Sequence, residues 1–269
     1  MLICIDAGHG LHTPGKRCLK SLDPRETREW TLNARVADKL QGLLSTYGCA
    51  TMRVDDVTGE KDVALGDRVL AANKARADLY LSIHHNAGVK GGSGGGIVAF
   101  VAPGCQEMSR TVQRAVYTRT VAATGLRGNR AEPKQEASYY VLMFTNMPAV
   151  LIECGFMDST VDTPVILTEA HADKVAQGLC EALAEVYGLA KRGGDARTVQ
   201  VAVPVLKRGS AGGHVSTLQT LLTDKGFACG VDGSFGPETD KAFRAWQRAV
   251  GLDVDGSCGP ASWDRLLGG

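Results

Sequence analysis

Val150-Leu151-Ile152-Glu153-Cys154-Gly155-Phe156 is an apolar run that ends abruptly in a carboxylate and a glycine. Short apolar runs bounded in this way read as buried strands. The end of such a strand delivers Glu153 to the rim of a sheet, where open α/β sheets hold their ligands. Two earlier stretches repeat the design. Leu2-Ile3-Cys4-Ile5 runs into Asp6-Ala7-Gly8-His9-Gly10, and Leu79-Tyr80-Leu81-Ser82-Ile83 runs into His84-His85-Asn86. Three buried strands ending in His, His and Glu can gather those side chains along one edge.

Helical patterns lie between these runs. Leu32, Val36, Leu40, Leu43, Leu44 and Tyr47 recur at helical spacing, with Gly48 as the stop. Ala50 to Val54 reads as a short strand, and Leu65, Val69 and Ala72 mark a second helix. Gly88 to Gly96 holds six glycines. A phosphate cradle would need a helix directly after it, but the strand-like Ile97 to Val101 follows, so a flexible loop bordering a site is expected. Met108, Val112, Ala115 and Val116 suggest a further helix, and Tyr139 to Leu142 a short strand. Val175, Leu179, Leu183 and Val186 form a helix that ends at Gly188. The alternation predicts an α/β fold: a central, mostly parallel or mixed sheet with helices on both faces.

The pattern lapses after Gly188, so domains are expected at 1–188 and 203–269, with a polar, Gly-containing linker at 189–202. The last segment reads as a small all-α bundle. Val215, Leu218 and Leu222 form one amphipathic helix, Ala242, Phe243, Trp246 and Val250 another, and Trp263, Leu266 and Leu267 a third. Asp232-Gly233-Ser234-Phe235-Gly236-Pro237 and Asp255-Gly256-Ser257-Cys258-Gly259-Pro260 are near copies, which predicts two equivalent turn–helix units. Each Pro falls where its missing N–H is harmless to a starting helix.

Composition narrows the classes. With 44% hydrophobic and 22% charged residues the chain is an ordinary globular protein rather than a disordered one. A net charge of +1 gives no field directed at nucleic acid or an anionic membrane. No apolar run approaches the length of a membrane span. Met1 leads straight into the first strand, so the expectation is synthesis in the cytoplasm without a secretory signal. The eight cysteines contain no C-x-x-C pair, which disfavours a cysteine zinc site. Cys229 and Cys258 occupy similar places in two related loops; they are the pair weighed for a disulfide, and the unbridged reading is preferred.

His9, Glu29 and His84 would supply two imidazoles and a carboxylate, a donor set suited to catalytic zinc, with manganese and cobalt left open. Glu153 would then be the acid–base residue of a hydrolase. Taken singly, each residue reads more simply. His9 is a polar residue between two glycines, Glu29 a first-turn carboxylate favoured by the helix dipole, and Glu153 a partner for an arginine. Glu26 competes with Glu29. His85 neighbours His84, but alternation sends the two to opposite sides of a strand. Joint placement at strand ends is what favours a site.

At this point the residues carry a family likeness. Asp6-Ala7-Gly8-His9-Gly10, Glu29 with Leu32-Asn33, Leu65-x-x-Arg68, Ala72-Asn73, Ala77-Asp78-Leu79, Ser82-Ile83-His84-x-Asn86-Ala87 and Val150 to Phe156 follow one another in order. From Leu2 to about Gly188 the chain resembles the type-3 family of zinc N-acetylmuramoyl-L-alanine amidases. The resemblance implies zinc ligands at His9, Glu29 and His84, a catalytic Glu153, and a mixed sheet flanked by helices. It also implies hydrolysis of the amide between the lactyl group of N-acetylmuramic acid and L-alanine of the stem peptide. The tail, from Leu206-Lys207-x-Gly209-Ser210 to Leu252-x-Val254-Asp255-Gly256, is similar to a common helical peptidoglycan-binding module. Bacterial peptidoglycan is therefore the expected partner. The absence of a secretory signal points to a phage or prophage lytic enzyme that reaches the wall after release.

Overall fold

A computed structural model describes residues 1–191 and 205–267. Contacts divide the chain into two compact units, Met1–Gly193 and Gly194–Gly269. Of the expected linker, residues 192–202 lie outside the described residues.

The first unit opens with β1 (Leu2–Ala7), α1 (Glu29–Ser45), β2 (Ala50–Arg53), α2 (Leu65–Ala75) and β3 (Leu79–Asn86). It continues with β4 (Val98–Val101), α3 (Glu107–Thr124), β5 (Lys134–Glu136), α4 (Tyr140–Met143) and β6 (Ala149–Phe156). It closes with α5 (Thr163–Ile166) and α6 (Glu169–Tyr187), which ends on a left-handed Gly188. The strands form one sheet in the order β2-β1-β3-β6-β4-β5. All neighbours pair in parallel except β4 with β6. The α/β architecture read from the sequence is thus the observed one.

Strand alternation assigns side chains to two cores. Ile3, Ile5, Leu79, Leu81, Ile83, Val150 and Ile152 face α1, α3 and α6. Cys4, Tyr80, Phe100 and Leu151 face α2 and α4, through Val69, Ala72, Val141 and Leu142. Both faces are covered, as a parallel sheet requires. Each fully buried Leu or Ile contributes about 1.5–3 kcal/mol to that burial.

Two local readings change. Tyr139 to Leu142 is not a strand; α4 is a helical turn, with Met143 N–H donating to Tyr139 O and Phe144 N–H to Tyr140 O. Val141 and Leu142 are both buried while Tyr139 and Tyr140 are both exposed, a two-in, two-out pattern that a period of two cannot satisfy. The glycine-rich loop 88–96 is clasped rather than free. Gly88 and Lys90 N–H donate to Asp158 Oδ2, and Gly96 N–H to Asp162 Oδ2.

The second unit contains α7 (Gly213–Asp224), α8 (Pro237–Ala249) and α9 (Pro260–Leu267). Val215, Leu218, Leu222, Phe235, Phe243 and Trp246 form its core, with Phe243 stacked on Trp246 at 5.5 Å. The two near-copy loops close in the same way. Gln219 Nε2 donates to Asp232 Oδ1 at 2.8 Å and Gly233 N–H to Gln219 Oε1 at 2.9 Å. Gln247 makes the same pair of bonds with Asp255 and Gly256, at 2.8 and 2.9 Å. Cys229 and Cys258 are both free thiols. Among the described residues no helix is long and apolar enough to cross a membrane.

Candidate active site

The parallel pairing of β1, β3 and β6 brings three strand ends together. Asp6 is the register partner of Ser82, and His84 that of Glu153. These residues share the sheet face that carries α2 and α4. Beyond His84 the pairing shifts register, so Asn86 pairs with Phe156. Such irregularities re-aim side chains at sheet rims. Past the end of β1, His9 has φ 69, a left-handed conformation that turns its ring back toward the sheet. Gly8 must be glycine, because a Cβ there would overlap the imidazole of His84.

Glu29 completes the group as the first residue of α1, buried at 2% exposure. Its Oε1 lies 2.9 Å from His84 Nδ1 and accepts the His85 N–H at 3.3 Å. Its Oε2 lies 3.4 Å from His9 Nε2 and 3.8 Å from Lys16 Nζ. The His9 and His84 rings meet edge-on, 5.0 Å between centroids. One donor atom from each of His9, Glu29 and His84 falls within 4.8 Å of the others. Donors on one tetrahedral zinc ion sit about 2.0–2.2 Å from it and hence ~3.4 Å apart, so the widest pair would draw together by ~1.4 Å at most to close the set. Two imidazoles and a carboxylate are also the right chemistry for that ion.

Glu153 stands beside this group without belonging to it. Its Oε2 is buried with no hydrogen-bond partner among the described residues. Burial pushes its carboxyl up to about 7; His84 opposes the shift and the Glu29 carboxylate adds to it. Glu29 itself moves down to about 2, because the hydrogen bond and charge of His84 outweigh the effect of burial. Burial disfavours the His84 cation, yet Glu29 more than compensates and the net direction is upward. His9 is lowered to about 4, chiefly by burial. A metal would demand both imidazoles neutral.

A buried frame holds these groups. Arg68, 1% exposed, donates to Asp6 Oδ1 at 2.5 Å, Ala7 O at 2.9 Å, His9 O at 2.9 Å, Asp62 Oδ1 at 3.1 Å and Val63 O at 2.8 Å. Burial alone would raise the Asp6 pKa, but the guanidinium reverses this and holds it below the ordinary carboxylate value. On the opposite face of β3, His85 lies 2.8 Å (Nδ1) from Asn33 Oδ1, and Asn33 Nδ2 donates to Gly8 O at 3.0 Å. The Asn33 amide thereby ties the two chain segments that carry His9 and His84.

The structure thus brings His9, Glu29, His84 and Glu153 to one place. Glu26 lies elsewhere, half-buried and paired with Arg17 at 3.2 Å. His85 points away from the site, as alternation requires. The glycine-rich loop does not line the site cavity. That cavity, about 500 Å³, is bounded by His9, His84 and Glu153 together with Lys16, Leu65, Leu151, Tyr139 and Tyr140. Sequence reasoning gave no role to Arg68, Lys16 or the two tyrosines. The one available signal was an arginine on the apolar stripe of a helix, beside Leu65, Val69 and Ala72.

Residues 3–185 match the N-acetylmuramoyl-L-alanine amidase family, and residues 211–266 match the peptidoglycan binding domain family. The chain is 30% identical to N-acetylmuramoyl-L-alanine amidase CwlM of Bacillus licheniformis over 74% of each chain. It is 29% identical to the endolysin of Bacillus phage SPP1, over 72% of this chain and 68% of that one. A crystal structure of N-acetylmuramoyl-L-alanine amidase from Clostridium difficile 630 superposes with a TM-score of 0.63 at 28% identity, covering 70% of this chain and 96% of that chain.

Proposed function

The chain belongs to the N-acetylmuramoyl-L-alanine amidase family, and from that premise we propose how it acts. It hydrolyses the amide between the lactyl group of N-acetylmuramic acid and L-alanine of the peptidoglycan stem peptide. His9, Glu29 and His84 hold a zinc ion, and Glu153 is the acid–base residue. The observation that carries this reading is the convergence of three metal-type donors beside a buried carboxylate whose Oε2 has no partner among the described residues.

When bound there, zinc would polarise the scissile carbonyl and bring the pKa of a water to about 7. Glu153 takes the proton of the attacking water on its free Oε2 and returns it to the leaving amine as the C–N bond breaks. Burial that disfavours the charged form of this carboxyl suits it to take up the proton and hand it on. The His85 N–H orients Glu29, and the contacts of Glu29 with the two imidazoles, which a metal would replace, hold the donors side by side. Arg68 and Asn33 hold the backbone at His9 and Gly8, so the donors need little reorganisation.

The decisive experiment joins metal analysis to mass spectrometry of digested sacculi. Stoichiometric zinc and released peptides with free N-terminal L-alanine are expected. A new terminus inside the stem peptide would instead mean a peptidase. Glu153→Gln should keep zinc and lose hydrolysis, whereas His84→Ala should lose both; full activity in Glu153→Gln would remove that residue from the mechanism.

The second unit serves as a tether that raises the local concentration of the catalytic unit at the wall. A chain ending at Lys191 should still cleave soluble muropeptides but adhere poorly to intact walls; equal adhesion would mean that the module is not the anchor. Similarity to the phage SPP1 endolysin supports a wall-lytic, phage-type role.

A further inference from the structure

The cavity has two chemically different flanks. One is aromatic. Tyr139, which caps α4, and Tyr140, its first residue, line it, with Leu65 and Leu151 beside them. Tyr139 is 42% exposed, Tyr140 43% and Phe144 56%, although each is large and largely apolar. Tyr140 and Phe144 pack as one ridge, 4.5 Å between centroids, and Tyr139 rests edge-on against Phe100 at 5.3 Å. The ridge is fixed rather than loose. Asn73 Nδ2 donates to Phe144 O at 3.0 Å, and Asn146 N–H donates to Asn73 Oδ1 at 2.8 Å. Three rigid, exposed rings continuous with a catalytic cavity leave apolar surface in water that a ligand could cover.

The other flank is cationic. Lys16 lines the cavity from the loop 10–28, which carries Lys16, Arg17, Lys20, Arg25 and Arg28 against two acids, Asp23 and Glu26. Asp23 and Glu26 pair with Arg25 and Arg17, so the excess positive charge of the loop rests on Lys16, Lys20 and Arg28.

The proposed substrate is equally two-sided. On the acyl side of the scissile amide sits an uncharged N-acetylated pyranose, whose ring C–H groups present a flat, positively polarised face. On the amine side runs a peptide that bears free carboxylates. The negative face of an aromatic ring attracts the first, and a positive loop attracts the second. We infer that α4 builds the saccharide side of the cleft: Tyr139, Tyr140 and Phe144 stack against N-acetylated sugar rings, and the stem peptide runs toward the loop that carries Lys16. This inference rests on the amidase reading above and adds the direction in which the substrate lies.

The test uses the full chain, loaded with zinc, hydrolysing soluble glycan-linked muropeptides. Chitotriose, a neutral trimer of N-acetylglucosamine, and a free stem peptide beginning with L-alanine are added as competitors. Chitotriose should inhibit the wild type competitively at millimolar concentration. Tyr140→Ala and Phe144→Ala should each weaken that inhibition and raise KM by about tenfold or less with kcat held, the order expected when one stacked ring is lost. Inhibition by the stem peptide should not change, and Tyr140→Trp should restore what Tyr140→Ala loses. Phe144 is the most exposed of the three, so its variant reports even if Tyr140→Ala folds poorly. The proposal is overturned if chitotriose does not compete with the wild type, if it competes equally with all variants, or if the ridge variants lose peptide inhibition instead. Failure of the wild type to release L-alanine-terminated peptides would strike the amidase reading itself, a result distinguishable from all of these.

Discussion

Arg68→Met should destabilise the first unit by about 3–5 kcal/mol, the usual cost of removing one partner from a buried ion pair. Arg68 and Asp6 are 1% and 2% exposed, so water does not replace the lost guanidinium. Methionine fills most of the volume but leaves the Asp6 carboxylate to the Ser82 hydroxyl at 2.7 Å, with no cation in place of the guanidinium. The carbonyls of Ala7, His9 and Val63 each lose a donor as well. Hydrogen exchange followed on peptides from β1 and β3 would read the loss directly, because their amides open with the sheet. The pH dependence has a defined sign. Folded Asp6 is held below its ordinary 3.8, so this contribution is complete above that value and fades as pH falls through the depressed one. The gap between wild type and Arg68→Met should therefore narrow in acid. Adding Asp6→Asn to Arg68→Met should recover part of the stability, since the orphaned charge is gone. A loss under about 1 kcal/mol, the ordinary size for a surface change, or a double variant no better than the single, would refute the reasoning.

Other expectations follow from the same geometry. Gly8→Ala places a methyl group in the His84 ring, and zinc affinity measured by competition with a chelator should fall on the order of 10–100-fold, as when a metal site's supporting contacts are lost; unchanged affinity would show that the contact relaxes freely. His171 is held neutral mainly by burial, its Nε2 2.9 Å from Cys154 O. Its folded pKa lies below the ordinary 6.5, so stability is full above that pH and erodes as the unfolded chain takes up the proton. His171→Gln should flatten the stability profile as pH falls below the ordinary 6.5, and an unaltered slope in denaturant titrations would count against it. Gln219→Ala and Gln247→Ala each open one of the two equivalent loop clamps, and each should cost the second unit about 1–2 kcal/mol in thermal unfolding followed by tryptophan fluorescence. A large loss from one and none from the other would mean that the loops are not energetically equivalent.

Much of this protein was legible in its sequence, because period and composition act locally. Apolar runs ending in Asp6, His84 and Glu153 read as strands that surface at a rim, and the 3.6-residue stripes of α1, α3 and α6 as helices lying on them, and both readings hold. The repeated Asp-Gly-Ser turns likewise announced two matching units before either was seen. Local signals failed where the environment decides. Tyr139 to Leu142 has strand-forming residues, yet it winds into a turn because Val141 and Leu142 find adjacent places against the sheet. The phase with Leu32-Asn33 already favoured Glu29 over Glu26, but the burial of that carboxylate beside His84 is a matter of packing. The separation of His84 from His85 could be read from alternation, but not that Asn33 would bind the second and brace Gly8. Strand order, which set His84 opposite Glu153 and sealed Arg68 against Asp6, is a long-range pairing. No single stretch encodes it, because its energy comes from surfaces that meet only after the chain has closed.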